Sequence, residues 1–579
     1  MTQVVWPIDI QNGCNTPGAH ALDVPSAGGA SNTVRQRGQA DLRALLRLWF
    51  AVSLLVVCFP ILTAAQPPPA IARIDPEGIK GTLVLCGGGQ IPDTVRKRFV
   101  ELAGGKSARL VIIPTASGDD SVIEDGEEVE KIWSAHDVAS IAIVHTRSRA
   151  EANDPKFVEP IQQATGVWIT GGRQSQIAAA YSGTRVEREL VALLDRGGVV
   201  GGTSAGAACQ SRVMIVRGRV HETPGLGLIP GAIVDQHFLA RDRKSRLFEA
   251  LEKHPGLLGL GIDEGTALIV QGRTLHCLGD STVTICLAAT SGCEAQTVVL
   301  KSGEVTDWTM FRRAARDRTL PPFPPERTRE SEVPDGALLI VGGGRMPPEL
   351  TQAFIELAGG PEARIIVLPA ATPEPQLEQS HAGDFLLRAG AKNVKVVTQS
   401  QHDIGDSAEF LDLLKEARGV WFGGGRQWRF VDAYEGTRAL DAFHDLLRRG
   451  GVIGGSSAGA TIQGDFLVRG SPLGNDEMMA PGYERGFAFL PGTAIDQHFT
   501  QRNRFDDLAK VVAIHPQLLG IGLDESTAIV VRGHIAQVMG EHNVHFFDRS
   551  LPLAEGQTGH TSVASGGKYD LKTRRPIVK

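Results

Sequence analysis

Cysteine is scarce in this chain of 579 residues, and none of its seven cysteines lies beyond position 293. A disulfide framework that stabilised the whole chain would not leave nearly half of it without a cysteine. We therefore expect the cysteines to be packing residues, with Cys209 facing the core. A bridge among Cys277, Cys286 and Cys293 is the alternative if the chain is exported.

Several signatures of ligand binding are also missing. The sequence has no P-loop, no zinc-finger spacing and no histidines at metal-ligand spacing. It has no basic tract, and its formal net charge is −6. We therefore expect no cofactor, no metal and no nucleic-acid partner. The glycine runs at 87–89 and 342–344 lack the dinucleotide fingerprint, and we interpret them as tight turns near the active-site face.

What the chain does contain is one set of motifs, repeated in the same order. The sequence G-T-S-A-G at 202–206 returns as G-S-S-A-G at 455–459. Each copy is followed by D-Q-H-F and then by D-E-x-T-A. The interval from the histidine to the glutamate is 27 residues in both copies. A serine, a histidine and an acid in one order, twice, predict a nucleophilic enzyme with two sites.

The residue types explain the chemistry. A serine hydroxyl needs a base within hydrogen-bond reach, and histidine suits this role because its pKa lies near neutrality. An acid then holds the histidine in the correct tautomer. Glycines around Ser204 and Ser457 allow backbone angles that other residues avoid. Ala205 and Ala458 are expected to begin the following helix, where free N–H groups can face an oxyanion.

Short β-branched segments alternate with helical patterns in each repeat. The predicted strands of the first repeat include 110–113, 141–144 and 167–170, with 267–270 and 297–300 extending one edge. This alternation predicts an α/β fold of two tandem, doubly wound, mainly parallel-sheet domains with helices on both faces. Each serine then lies at the carboxyl end of a buried strand, where such sheets bind their ligands.

These motifs resemble those of the cyanophycinases and of peptidase E, an aspartyl dipeptidase of the same serine peptidase family. The resemblance rests on the serine turn, the D-Q-H-F element and a G-G-x-Q segment, and it covers roughly residues 80–310 and 335–550. It implies a nucleophile elbow on a fold like that of class I glutamine amidotransferases. It also implies a serine exopeptidase that releases β-Asp-Arg dipeptides from cyanophycin, a poly-aspartate with arginine on each side chain.

The resemblance assigns roles position by position. The implied catalytic residues are Ser204, His237, Glu264, Ser457, His498 and Glu525. The implied oxyanion donors are Gly172, Ala205, Gly425 and Ala458. The implied substrate-binding residues are Gln174, Asp235, Gln236, Arg241, Arg243 and Arg246 in the first repeat, and Gln427, Asp496, Gln497, Arg502 and Arg504 in the second.

The identity of the acid stays open at this point. Glu222 in the first repeat and Glu477 in the second lie between the serine and the histidine of their repeats. They compete with Glu264 and Glu525 for the same role.

The two repeats also depart from one another. Asp507 stands at the position that matches Arg246, a departure that bears on substrate binding by the second site. The interval from serine to histidine is 33 residues in the first repeat and 41 in the second. The segment at 474–486 has no full counterpart in the first repeat, so the first site is expected to lack a loop at the pocket edge.

Charge favours an acidic substrate. Arg241, Arg243 and Arg246 follow His237 closely, and guanidinium groups match the geometry of carboxylates. The simpler interpretation is that these arginines form the solvated start of a helix at 247–251.

Two other functions remain open. One is a dipeptidase for small aspartyl or isoaspartyl peptides, and the other is a duplicate in which one repeat has become a non-catalytic module that binds acidic peptides.

The first part of the chain has the features of an export signal. Arg43 and Arg47 precede residues 48–65, which contain no charge and end in small residues. We predict a signal peptide or membrane anchor here, and a periplasmic or extracellular protein. A buried soluble helix is the alternative.

The predicted organisation follows from these segments. It comprises a disordered region at 1–47, the apolar segment at 48–65, a proline-rich linker at 66–79, a first domain at 80–312, a linker at 313–334 and a second domain at 335–579. The tail from Gly556 is expected to be frayed. The two repeats are expected to pack as an intramolecular pseudo-dimer, with any further oligomer left open.

Overall fold

The computed structural model describes residues 72–118, 122–221, 223–373, 381–550 and 559–578. The predicted disordered region at 1–47 and the apolar segment at 48–65 lie outside these residues. Within the described part of the chain, no helix combines the length and the apolar composition needed to cross a bilayer. Both repeats belong to one compact unit.

The first repeat is built on an eight-stranded sheet with a parallel centre. Its central strands are buried on both faces, so they read in the sequence as continuous apolar runs. The strands that pair in parallel are, in order, Ile79–Cys86, Val199–Thr203, Gly166–Ile169, Arg109–Ile113 and Ser140–Ile143. On the other side of the first of these, the antiparallel strands are Thr266–Gly272, Thr274–Gly279 and Val305–Asp307.

A second sheet of four strands leads to the histidine of the first repeat. Its strands are, in order, Ala232–Gln236, Leu258–Ile262, Thr282–Leu287 and Gln296–Lys301, of which the first two are parallel. The expectation that 297–300 extends the edge of the main sheet is therefore wrong, because its hydrogen-bond partner is Thr282–Leu287. A short hairpin pairs Ile215–Val216 with Arg219–Val220.

The helices pack apolar faces against these sheets. In Arg185–Asp195, the buried side chains are Val186, Leu190, Leu193 and Leu194, which lie on one face at helical spacing. The other helices of the first repeat are Asp93–Leu102, Val122–Ser134, Glu159–Gln163, Gln174–Tyr181, Ala205–Ala208, Lys244–Lys253 and Trp308–Asp317, with 3-10 turns at Gly105–Ser107 and Glu151–Asn153.

The second repeat has the same arrangement. Its nine-stranded sheet has the order Asn393–Val396, Arg364–Leu368, Gly419–Phe422, Val452–Ser456, Val333–Val341, Thr527–Gly533, Ile535–Gly540, Lys568–Asp570 and Arg575–Ile577. Its five-stranded sheet has the order Gly464–Phe466, Leu490–Gln497, Leu519–Leu523, Asn543–Asp548 and His560–Ala564. The helices are Pro348–Ala358, Asp384–Arg388, Ala408–Glu416, Gln427–Tyr434, Arg438–Arg448, Ala458–Thr461 and Phe505–Ile514, with 3-10 turns at His402–Asp406 and Thr500–Arg502. The predicted class, two tandem α/β domains with mainly parallel sheets, is confirmed.

Three expectations need correction. The helix Trp308–Asp317 extends into the range 313–334 that was predicted to be a linker, because its arginines find buried partners in the second repeat. The tail beyond Gly556 forms strands that pair with the sheets of the second repeat, so the prediction of fraying is wrong. Cys277 and Cys286 are free, buried thiols, so neither takes part in the bridge considered above.

A buried cluster of ion pairs joins the helix Trp308–Asp317 to the second repeat. The guanidinium of Arg313 contacts the carboxylates of Asp432 and Glu435, and Arg316 also donates to Glu435. Arg273 donates to Asp432 at 2.7 Å. The carboxylates therefore share several cations in a region with little solvent, and each charge depends on its partners.

Candidate active site

Both serines occupy a sharp turn between a strand and a helix. Ser204 follows Val199–Thr203 and has φ 51° and ψ −110°, and Ser457 has φ 58° and ψ −113°. These backbone angles are rare for residues other than glycine and persist only where the surroundings hold them. A Cβ atom on Gly202 would lie 2.4 Å from the carbonyl oxygen of Gly206, so the turn has room only for glycine. Each hydroxyl is therefore held at the carboxyl end of its strand.

The structure brings each serine to its predicted partners. Ser204 Oγ lies 2.8 Å from His237 Nε2, and His237 Nδ1 lies 2.5 Å from Glu264 Oε1. In the second repeat the corresponding distances are 3.0 Å from serine to histidine and 2.5 Å from histidine to Glu525. In this arrangement the Nδ1–H donates to the carboxylate, which leaves Nε2 free to accept the serine proton.

One segment of backbone anchors the serine, the histidine and the residue that follows the glutamate of the first site. The consecutive carbonyl oxygens of Cys86, Gly87 and Gly88 accept hydrogen bonds from the N–H groups of Ser204, His237 and Gly265, respectively. In the second site, Val341, Gly342 and Gly343 accept from Ser457, His498 and Ser526. The sequence predicts tight turns near the site at these glycine runs, but it does not reveal their part in aligning the site. The matching positions of the two runs, each directly after a first strand, were the available signal.

Comparison with known proteins agrees with this geometry. The model of peptidase family S51 matches residues 83–278 and, a second time, residues 338–539. The chain belongs to peptidase family S51. It is accordingly a hydrolase of the serine peptidase class.

Individual relatives match about one repeat each. A cyanophycinase from Geminocystis herdmanii is 36% identical over 202 residues, which cover 33% of this chain and 74% of the relative. A cyanophycinase from a Nostoc species is 36% identical over 227 residues, which cover 36% of this chain and 74% of the relative. Among solved structures, a peptidase from an acI-B1 Actinobacterium is 23% identical with a TM-score of 0.33, covering 42% of this chain and 98% of that one.

The structure shows which acid contacts the histidine in each site of this S51 peptidase. Glu264 and Glu525 contact the histidines. Glu477 instead forms a side-chain hydrogen bond with Ser471, and burial raises its pKa. Glu222 lies outside the described residues.

The residues assigned to an oxyanion hole have suitable backbone. Ala205 and Ala458 are the first residues of short helices, so their N–H groups have no partner within those helices. Gly172 and Gly425 have φ of 133° and 138°, and an added Cβ would lie within 2.3 Å of the carbonyl oxygens of Ala116 and Ala371. Only glycine therefore fits these two positions.

The side chains assigned to substrate binding divide into buried and accessible groups. Asp235 and Asp496 are fully buried and paired with arginines, so they are not free to meet a substrate as the sequence suggested. Gln174 and Gln427 are buried and donate to the backbone carbonyls of Ile215 and Val468.

The residues assigned to substrate binding that remain accessible are arginines. The side chain of Arg241 is 55% exposed and lies 4.0 Å from Glu264, and Arg502 is exposed in the second site. Arg243 and Arg246 are partly exposed, and both pair with Asp235. Arg504 is buried against Asp496. The first site therefore presents more accessible cationic surface beside its histidine than the second.

We expect that Gly88→Ala disrupts the first site without a change to any triad residue. An added Cβ at Gly88 would lie 2.3 Å from His237 Cε1, so the imidazole must move away from Ser204. A displacement of about 1 Å can reduce kcat by roughly 100-fold. The measurement is kcat in a Ser457→Ala background, in which only the first site can act.

Gly390→Ala is the matched control for this substitution. Gly390 has φ of 98°, close to the 104° of Gly88, but an added Cβ there meets no atom within 4 Å. It introduces similar backbone strain without a clash, so kcat should change by less than about two-fold. Equal losses in the two variants would contradict the proposed role of the contact with His237.

We expect hydrolysis to persist at moderately acid pH. Burial lowers the pKa of His237 and of His498 below the usual 6.5, against the opposing effect of the adjacent glutamates, while nearby Arg241 and Arg502 lower it further. Because the neutral imidazole is the base, kcat/KM should fall as pH drops through a midpoint below 6.5. The check is kcat/KM between about pH 4 and 9, with circular dichroism to exclude acid unfolding. A midpoint above 6.5 would contradict the prediction.

Proposed function

We propose that this S51 peptidase cleaves cyanophycin, or a related aspartyl or β-aspartyl peptide, through a Ser-His-Glu acyl-enzyme mechanism and releases β-Asp-Arg dipeptides. The observation that carries the proposal is the chain of contacts from serine to histidine to glutamate, present in both repeats. The names of the curated relatives support the choice of substrate.

The mechanism uses the geometry as it stands. Ser204 Oγ attacks the carbonyl carbon of the substrate while its proton passes to His237 Nε2. The N–H groups of Ala205 and Gly172 stabilise the oxyanion, and the imidazolium then donates its proton to the departing amine. Water, deprotonated by the same histidine, hydrolyses the ester and restores the serine. Ser457, His498, Ala458 and Gly425 act in the same way in the second site.

Charge supports a substrate that carries carboxylates. Arg241, Arg243 and Arg246 supply cations near the first histidine, and guanidinium groups match the geometry of carboxylates. Gln236 and Gln497, which the resemblance also assigned to substrate binding, are buried, so the arginines carry this argument. Cyanophycin offers a carboxylate at every step of its chain.

A second candidate function is favoured by the differences between the repeats. Asp507 replaces the arginine of the first repeat and pairs with Arg469, which reduces the cationic character of the second site. In this second proposal, the second repeat acts on small aspartyl or isoaspartyl dipeptides, while the first acts on the polymer.

Two further proposals concern the whole chain. We propose that the repeats, with boundaries near 80–312 and 335–579, pack as an intramolecular pseudo-dimer. The ion pairs between Arg313 and the second repeat support it, and solution scattering that shows two separated lobes would contradict it. We also propose export of the protein, on the composition of residues 48–65. Recovery of the native protein in the cytoplasm by fractionation would contradict it.

The experiment that tests the function is incubation of the purified protein with cyanophycin, followed by mass spectrometry of the products. We expect β-Asp-Arg dipeptides to accumulate from the start of the reaction. Cleavage of isoaspartyl dipeptides alone would favour the dipeptidase. An intact polymer, together with labelling of both serines by a serine-directed probe, would retain the hydrolase and reject this substrate.

A further inference from the structure

The two sites fill the same buried position with arginines from different parts of the chain. In the first site, Asp235 accepts from Nε and Nη2 of Arg246, on the helix after the histidine. In the second site Asp507 occupies the position of Arg246, and Arg469 approaches Asp496 instead, with Nε 3.2 Å from both carboxylate oxygens. Arg469 comes from the segment after the serine helix. The sequence comparison showed the loss of one arginine but not its replacement.

The first repeat also contains a counterpart of Arg469, but that residue does something else. The sequence V-R-G occurs at 216–218 and at 468–470. Arg217 and Arg469 have similar φ values of 50° and 56°. Arg217 is exposed beside its short hairpin, whereas the side chain of Arg469 is only 5% exposed. The arginine at this shared position therefore turns inward only in the repeat that carries Asp507.

This exchange changes the charge balance beside the histidine. In the first site, Arg243 and Arg246 share the single carboxylate of Asp235, which leaves one positive charge in excess. In the second site, Arg469 and Arg504 face two carboxylates, because Arg469 Nη2 donates to Asp507 at 2.7 Å and both arginines pair with Asp496. The second group is formally neutral. Its arginines are also less accessible than the side chain of Arg246, which is 19% exposed.

The segment that carries Arg469 covers a further cation of the second site. Arg469 Nη1 donates to the carbonyl oxygen of Asn475, which fixes the segment. Arg426 Nη2 donates to the carbonyl oxygen of Ser471 at 2.6 Å. Its counterpart in the first repeat, Arg173, is exposed. In the second site, one more guanidinium group, that of Arg426, is therefore already hydrogen-bonded within the protein.

We infer that Asp507 and Arg469 determine specificity, and that they make the second site indifferent to substrate carboxylates while the first site selects for them. This inference rests on the proposed function, since it assigns the acidic polymer to Ser204. The excess charge of Arg243 and Arg246, with exposed Arg173, attracts a carboxylate in the first site. In the second site, Asp507 neutralises the arginine pair and Ser471 engages Arg426. Arg241 and Arg502 are exposed in both sites and do not distinguish them.

The test compares two single-site enzymes on two matched peptides. Ser457→Ala leaves the first site and Ser204→Ala leaves the second. Both peptides are short poly-aspartates with arginine on each side chain, and they differ only in whether the arginine α-carboxylates are free or converted to carboxamides. The ratio of kcat/KM for the free acid to that for the amide should be about ten or more in the first site and near one in the second.

A charge-removing substitution in the second site tests the residue itself. Asp507→Asn, in the Ser204→Ala background, frees Arg469 of one carboxylate and should raise the acid-to-amide ratio about three-fold or more. Asp506→Asn is the matched control, since Asp506 lies in the same first helical turn, is exposed and takes part in none of the described ion pairs. It should leave the ratio within about two-fold, and melting temperatures of both variants check folding.

The outcomes separate the inference from the function on which it rests. Equal ratios in the two single-site enzymes, or equal effects of Asp507→Asn and Asp506→Asn, overturn the inference while hydrolysis itself stands. A higher ratio in the second site overturns it as well. If the wild-type protein cleaves neither peptide, the proposed function fails and the inference falls with it.

Discussion

The double variant Ser204→Ala/Ser457→Ala is expected to lose hydrolytic activity by about 10⁴-fold or more. Each hydroxyl lies within hydrogen-bond distance of its histidine, and no acyl-enzyme can form without it. The residual rate would come from substrate binding and from the oxyanion donors alone. The measurement is the rate of dipeptide release from cyanophycin by the double variant and by the wild-type protein.

Each single variant should keep the activity of the other site. The loss of rate in Ser204→Ala therefore measures the contribution of the first site, and the loss in Ser457→Ala measures that of the second. Ser134→Ala is a suitable control, because this serine is exposed and its hydroxyl donates only to the carbonyl of Glu130 within its own helix. We expect it to retain the wild-type rate. Dipeptide release that survives the double substitution would remove both proposed nucleophiles at once.

Arg313→Ala is expected to lower the free energy of unfolding by about 3–5 kcal/mol. The side chain is 1% exposed and lies between Asp432 and Glu435, with its guanidinium 5.1 Å from the ring centre of Tyr483. Its removal leaves two buried carboxylates with fewer cations, and a buried charge without full compensation is strongly destabilising. The loss should appear in urea unfolding as a lower midpoint.

Arg98→Ala is the matched control for this prediction. Arg98 also pairs with a glutamate, Glu101, but both side chains are exposed on the surface of one helix. Such pairs contribute little, so the free energy of unfolding should change by less than about 1 kcal/mol. Similar losses in the two variants would show that the buried cluster contributes no more to stability than a surface pair.

Much of the catalytic centre could be predicted from the sequence, because its motifs are local. The turn around Ser204 needs small residues next to the serine, and the strand before it needs β-branched residues. Both features can be recognised from residues that are adjacent in the sequence. Because the same order recurs in the second half, the sequence also predicts that His237 and His498 are the partners of the serines, and both lie within hydrogen-bond distance of them.

The choice of Glu264 over its competitors depended on distance in space. In the second repeat, Glu477 and Glu525 both lie within reach of the motif along the chain, but it is Glu525 that contacts His498, as Glu264 contacts His237. Glu477 is hydrogen-bonded to Ser471 instead. The sequence also does not show that Asp235 is buried. An aspartate next to the histidine of the site is a plausible substrate ligand by sequence, but in the structure it pairs with Arg246.

The amino-acid sequence thus determined the class of fold, the serine peptidase family and the repeated serine, histidine and glutamate motifs, since these depend on residue types within a few positions of one another. The tertiary structure alone decided which carboxylate serves each histidine, how Cys86 and its two following glycines align the site, and which arginine balances Asp496. Such contacts join residues that are far apart along the chain, from Cys86 to Ser204 or from Arg313 to Asp432. Local sequence patterns do not reveal these contacts, because they form only when separate strands and helices pack together.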